Sequence, residues 1–279
     1  MQEEIVVKAP TTEALTPAQI TQKAEDLGVT KTEMSFGRSF ALSIMAGAFI
    51  AMGAMFFSLV VGDPALPFAI QRVLGGFLFC LGLILVVVAG AELFTGNTMI
   101  VMTAASKRIK WSAVWKNWIV VFFGNFLGAL VIVGLVFLSD MSAMNGGQVG
   151  QTMVSVAAGK MHADWLVLFA KGIMCNFLVC LGVWMAYASK TVADKILAVV
   201  FPITAFVACG FEHCVANMFF LPMGALLASC GIAPAGIDPA SVNMLGALYN
   251  WSATVPGNIV GGALMVGMMY WLIYRKKKN

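Results

Sequence analysis

Four ionisable side chains stand inside apolar sequence: Glu92, Lys171, Glu212 and His213. Titratable groups at membrane depth are costly, and they mark ion pathways, proton relays or buried pairs. His213 reads either as a neutral core histidine or as a pore-lining donor of a hydrogen bond or proton, and the second reading is preferred. Glu92 and Glu212 share the pattern G-x-E-x4-N, with Gly90 and Asn97 in one string and Gly210 and Asn217 in the other. A carboxylate beside a helix break is expected to hold freed backbone N–H groups. Asn97 and Asn217 are expected to satisfy local backbone. Thr95 either faces a permeant ion or serves the backbone, and Lys160 is either a solvated loop lysine or an attractor of anions. Cys209, His213 and Cys214 lack a third and fourth ligand at metal spacing. No nucleophile accompanies the carboxylates. Neither an enzyme, nor a metal site, nor a cofactor is therefore expected.

The elements that hold these residues follow from composition. Of 279 residues, 60% are hydrophobic and 11% charged, where soluble domains carry about 25% charge; mean hydropathy is +0.90. Such a chain cannot cover its apolar residues with polar surface, so an all-α membrane protein is expected and nucleic acid is not a partner. Apolar segments fall at 39–61, 73–105, 112–138, 163–187, 196–233 and 244–274. The second and fifth are 33 and 38 residues long, against the roughly 20 needed to cross a bilayer. Each has one of the two polar strings at its middle, so each reads as a broken helix whose irregular backbone is buried in protein or lines a cavity.

The reading is thus a cytoplasmic N-terminal segment over 1–35, six transmembrane helices over 36–274 and a basic cytoplasmic tail over 275–279. Thr16, Pro17 and Gln19 form a capping signature for a short helix that Gly28 can end. That helix either lies on the membrane or packs against the protein. The first 35 residues have no apolar h-region, so no cleavable leader is expected. Placing both termini in the cytoplasm leaves only Arg72, Lys160 and Lys171, of 17 Lys and Arg, on the outer side. The positive-inside rule selects that orientation.

The two halves repeat. Phe40, Ala41, Ile44, Met45 and Gly53 recur 129 positions later as Phe169, Ala170, Ile173, Met174 and Gly182. The G-x-E-x4-N strings recur in the second and fifth segments. Gly124, Asn125, Gly128 and Gly134 in the third match Gly257, Asn258, Gly261 and Gly267 in the sixth. Three spans per copy is an odd number, so the second copy is expected upside down, an inverted 3+3 repeat with broken helices 2 and 5. Paired broken helices point to a site near the midplane, as in channels and transporters.

Several strings together resemble the formate/nitrite transporter family: Glu92-Leu93-Phe94-Thr95, Gly210-Phe211-Glu212-His213 with Ala216-Asn217-Met218, Asn117-Trp118 with Phe123-Gly124-Asn125, and Gly257-Asn258-Ile259-Val260-Gly261-Gly262. The formate channel branch is the nearest, through Met174-Cys175-Asn176 and Leu178-Val179-Cys180-Leu181. The resemblance covers roughly residues 30–275, with no motif between 230 and 247. It implies an aquaporin-like fold and a homopentamer in the cell membrane, with one pore per protomer for small monovalent weak-acid anions. Formate is the first expectation, nitrite and hydrosulfide the alternatives. It places His213 at the pore centre facing Thr95, with Asn176 and Asn258 as polar pore lining. Lys160 would draw anions into the outer vestibule. Phe79, Leu83, Leu93, Phe94, Val179 and Phe206 would narrow the pore, and the N-terminal helix would bear on gating. A bare anion loses several kcal/mol or more on entering an apolar constriction, so a neutral acid crosses more easily. His213 would supply or relay that proton, or else remain charged as a fixed binding site.

Overall fold

The computed structural model describes residues 13–275, all of the regular elements among them helical. The expectations placed on Lys8 and on the tail lysines Lys276, Lys277 and Lys278 lie outside the described residues. Helix α1, Pro17–Glu33, starts at the foreseen capping box, in which Thr16 accepts from the Gln19 backbone and the Gln19 side chain accepts from the Thr16 backbone. Gly28 does not end it. There the helix lies so close to Thr103 that a Cβ would overlap the threonine hydroxyl. α1 therefore packs against the protein, with Ile20 buried and Ala24 and Leu27 half-buried.

Among the described residues, five apolar helices are long enough to cross a membrane: α2 (Phe36–Val61), α3 (Phe68–Leu85, carried on by a π turn to Gly90), α6 (Trp111–Leu138), α8 (Trp165–Ala188), and α11 (Met244–Ile259) continuing through a π stretch into α12 (Met269–Tyr274). The region 73–105 is interrupted after Gly90. It resumes as α4 (Phe94–Asn97), a 3-10 turn (Thr98–Ile100) and α5 (Val101–Ala105). The region 196–233 likewise holds two short helices, α9 (Val192–Ala208) and α10 (Asn217–Ser229), about an irregular turn. Gly90 and Gly210 adopt φ of +87° and +71°, a left-handed conformation open to glycine, and so let both chains leave their helices at matching points.

Helix α7, Gln148–Met161, is absent from the segmentation above, which left its region as loop. Its buried residues, Val149, Met153, Val154, Ala157, Ala158 and Met161, trace one face at helical spacing. α2 packs on α3 and α6 in the way α8 packs on α9 and α11, and α3 meets α9 between them. At the α2–α6 crossing, and where α8 meets the π stretch after α11, a Cβ on Gly128 or Gly261 would overlap the carbonyl of Ile44 or Ile173. These glycines set how near the backbones approach. Trp111, Trp115, Ile119, Phe123, Leu127, Val131 and Leu135 run as an exposed stripe along α6. Water cannot favourably solvate such a surface, which suits lipid or a second protein.

Candidate functional site: two basic cavities about His213

Each helix break rests on the same polar scaffold. In the first half, Asn125 on α6 accepts from the Phe94 N–H at 2.9 Å and donates to the carbonyls of Ser43 and Glu92. In the second, Asn258 on α11 accepts from the Cys214 N–H at 2.9 Å and donates to the carbonyls of Gly172 and Glu212. The freed N–H groups of Phe94 and Cys214 are thus met by asparagines of the neighbouring helix and those of Glu92 and Glu212 by the carbonyls of Leu42 and Lys171, not by the glutamate side chains as expected. An amide both donates and accepts, as a break with free N–H and C=O groups requires; a carboxylate only accepts.

The two carboxylates are centres of a different network. Glu92 accepts from Lys31 Nζ at 2.7 Å and from Asn97 Nδ2 at 2.7 Å, and Asn97 also donates to Asn117. Glu212 accepts from Lys160 Nζ at 2.9 Å and from Asn217 Nδ2 at 2.7 Å, and Asn217 also donates to Asn250. Asn117 donates back to the Lys31 carbonyl and Asn250 to the Lys160 carbonyl. The side chains of Asn97 and Asn217 therefore serve carboxylates, not local backbone. A buried carboxylate needs such partners because stripping water from an unpaired charge is costly. Lys31 sits on α1 and Lys160 on α7, so each half has an amphipathic helix that delivers a lysine to its break.

Two cavities flank the breaks. One, about 310 Å³, is lined by Arg72, Lys160, Lys171, Glu212, His213, Phe79 and Phe206 among others. The other, about 500 Å³, lies under α1 and is lined by Lys23, Lys31, Arg38, Lys195, Glu92, Leu83 and Leu93 among others. Bases outnumber acids in both. Arg72, Lys160 and Lys171, the three bases that the orientation argument leaves together on one side, all line the first cavity. Phe79 and Leu83 stand one turn apart on α3, about 6 Å by helix geometry, one facing each cavity. The layer between the cavities is thin and apolar. Phe79 meets Phe206 edge to face with ring centroids 5.8 Å apart, and Phe206 stacks on His213 at 5.8 Å.

His213 is 2% exposed. Its Nε2 lies 3.1 Å from Thr95 Oγ1, and its Nδ1 accepts from the Ala216 backbone N–H at 2.9 Å. An Nδ1 that accepts holds no proton, so the ring is neutral and its one N–H points from Nε2 toward Thr95. The Thr95 carbonyl in turn accepts from Thr98, Asn176 and Cys180. Asn176 also donates to the Asn258 carbonyl at 2.7 Å. Asn176 and Asn258, expected as polar pore lining, line neither of these two cavities, and their amides hold backbone near the breaks. Phe94 turns the other way and packs edge to face on Trp118 and Phe122, while Val179 is buried and lines neither cavity. Of the six residues expected to narrow the pore, Phe79 and Phe206 line the first cavity and Leu83 and Leu93 the second. Sequence reasoning missed Lys31 and Asn250 as network members and Arg72 as cavity lining. The rare bases of the outer side were a usable signal for Arg72.

Opposed basic cavities about an apolar layer make a channel or transporter for anions. A family model described as "Formate/nitrite transporter" matches residues 18–272, and the chain belongs to that family. It is similar to the formate channel FocA of Escherichia coli strain K12, with 39% identity over 95% of this chain and 96% of that one. It is also similar to the formate channel BtFdhC of Bacillus thuringiensis, with 33% identity over 94% and 97%. Among solved structures, a pentameric formate channel with formate bound superposes with a TM-score of 0.77 at 38% identity, covering 86% of this chain and 98% of that one. An "FNT family ion channel" gives 0.80 at 27% identity, covering 91% and 98%.

Proposed function

We propose that this chain forms a membrane pore for formate in which the anion crosses the midplane as the neutral acid. The observation that carries the reading is the neutral His213–Thr95 pair at the apolar layer between two basic cavities. Each cavity concentrates anions, while the layer penalises bare charge. His213 offers its Nε2–H to the carboxylate, and Thr95 offers a hydroxyl that can donate or accept. A standing imidazolium would need a proton on Nδ1 and would lose the Ala216 bond, so the ring acts here as a hydrogen-bond donor to the carboxylate, and the proton that neutralises formate comes from water of the entry cavity and not from the ring. Passage of the neutral acid carries one proton with each anion. Lys160 guides anions at the entrance while paired with Glu212, and Lys31 is its equivalent under α1.

The matching scaffolds support six spans in an inverted 3+3 repeat, with helices 2 and 5 broken, in the cell membrane with both termini cytoplasmic. The arginine and lysines of the 310 Å³ cavity then face outward. The apolar α6 stripe and the pentameric relative support a homopentamer. The test is flux into proteoliposomes holding the full chain, for formate, nitrite and hydrosulfide side by side between pH 5 and 8, with internal pH recorded. Formate uptake with matching proton entry, lost in His213→Ala, is expected. Nitrite or hydrosulfide flux with formate excluded would move the substrate and keep the pore. No flux of any anion would overturn the reading.

A further inference from the structure

The outer cavity holds three cations, and two of them have protein partners. The Arg72 guanidinium donates to the carbonyls of Val207 and Ala208 at 2.8 and 2.9 Å. The Lys160 ammonium lies 2.9 Å from the Glu212 carboxylate. Lys171, on the second turn of α8, lines the same cavity half-buried. Among the described residues its ammonium has neither a hydrogen bond nor an ion pair.

The other half shows what stands at this position when no charge is placed there. The Glu212 N–H donates to the Lys171 carbonyl at 3.3 Å, and the Glu92 N–H donates to the Leu42 carbonyl at 3.2 Å. Lys171 and Leu42 therefore occupy the same place against their breaks, and each side chain lines its own cavity. Leucine suffices for the scaffold. A lysine in its place adds a charge that the packing does not need, facing a cavity that Glu212 alone does not neutralise.

We infer that Lys171 is the anchor of an anion-binding site in the outer cavity, which holds one small monocarboxylate before it reaches His213. Lys160 is restrained by Glu212 and Arg72 by two carbonyls, so Lys171 is the group whose ammonium is available to pair with the ligand. The inference rests on the anion-pore reading for its functional consequence, and its binding step can be measured without transport.

Two measurements on the full chain in detergent or liposomes test it. Binding of 13C-formate, followed by saturation-transfer NMR, is expected for the natural chain and for Lys171→Arg and to fall in Lys171→Met. Formate flux against concentration should show a KM raised roughly tenfold in Lys171→Met, since cavity charge raises local anion concentration by about that factor or more. The rise should be larger in Lys171→Glu and small in Lys171→Arg. The dependence of flux at low formate on ionic strength should flatten in Lys171→Met, because added salt screens a charge that is no longer there. Lys171→Gln serves if the methionine variant does not fold. A binding signal and a KM that ignore the charge at 171 would overturn the inference even if the natural chain conducts. Formate bound through Lys171 with no flux would sustain it and sink the pore reading. Absence of both binding and flux would overturn both.

Discussion

The break after Gly90 and the break after Gly210 share one framework and differ in what they present. Asn125 and Asn258 secure the irregular backbone in the same way, and Lys31–Glu92–Asn97–Asn117 is matched group for group by Lys160–Glu212–Asn217–Asn250. Inside that framework Leu93 stands where the other half has His213, and Thr95 where it has Val215. The proposed crossing of the layer uses one of each, and the structure brings them within 3.1 Å, so it is the residues between the framework positions that differ. Function in this molecule is written into the differences between two copies of a scaffold whose sameness is structural.

The largest expected effect tests the sameness. Glu92 and Glu212 side chains are 8% and 4% exposed, and their lysines 18% and 16%. Replacing either glutamate by leucine leaves a buried ammonium without its carboxylate, which should cost about 3–5 kcal/mol. Thermal unfolding in detergent should show similar losses for Glu92→Leu and Glu212→Leu. Adding Lys160→Met to the second should recover much of the loss. A small loss in only one half would show that the two networks are not equivalent in energy.

The next effect tests the divergence. His213→Leu gives the second break the residue type of the first, and the framework asparagines and glutamates are untouched. The protein should stay folded, while formate flux falls by roughly a hundredfold, because the layer loses the hydrogen-bond donor that meets the carboxylate. The same substitution type at Leu93, such as Leu93→Met, should alter flux far less. Equal losses at the two positions would mean that the layer acts only by shape.

Much of the framework was legible because it rests on residue types that apolar sequence rarely tolerates. Glu92 and Glu212, the flanking glycines and the asparagines stood out at matching spacing, and helix lengths against bilayer thickness exposed both breaks. The partners of those groups were not legible. Lys31 and Lys160 reach their carboxylates from α1 and α7, across 61 and 52 residues, and no local pattern links them. α7 itself was overlooked because short amphipathic helices lack the long apolar run that marks a span. Asn250 lies outside the repeated strings and carries no local signal, yet its side chain is fully buried and bonded to Asn217. Pore-facing direction was the least legible property. Phe94 and Val179 are both apolar and buried, but a turn of backbone decides whether such a side chain faces a cavity or a neighbouring helix.

A finer difference separates Asn97 from Asn217. Lys31 donates to Asn97 Oδ1 at 2.9 Å as well as to Glu92, whereas Asn217 Oδ1 is buried without a partner. Asn97→Leu therefore removes one more hydrogen bond than Asn217→Leu and should cost about 1 kcal/mol more. Unfolding midpoints of the two variants measure the difference, and a larger loss at 217 would contradict it.

The smallest effect concerns how firmly α1 is held. Lys23 donates to the Tyr187 carbonyl at 2.7 Å. Burial, and then the nearby charges of Lys195 and Lys190, lower its pKa from the ordinary lysine value. Docked α1 then binds fewer protons at this site than free α1 does over the window between the lowered value and the ordinary one, about 10.4. In that window docking should strengthen as pH rises, because the undocked state must release a proton that the docked state has already lost. Below the window both states are protonated and the docking energy should be flat. Protease accessibility of α1, measured from pH 8 to pH 10 and corrected for the protease's own pH dependence, should fall with rising pH in the natural chain and change less in Lys23→Met. A pH dependence that survives unchanged in Lys23→Met would assign it to another group. α7 delivers Lys160 to the second break from its last turn and carries no lysine in its first turns. Of the two lysine-bearing helices, α1 is thus the one whose grip on its break depends on charge it shares with the end of α8 and the start of α9.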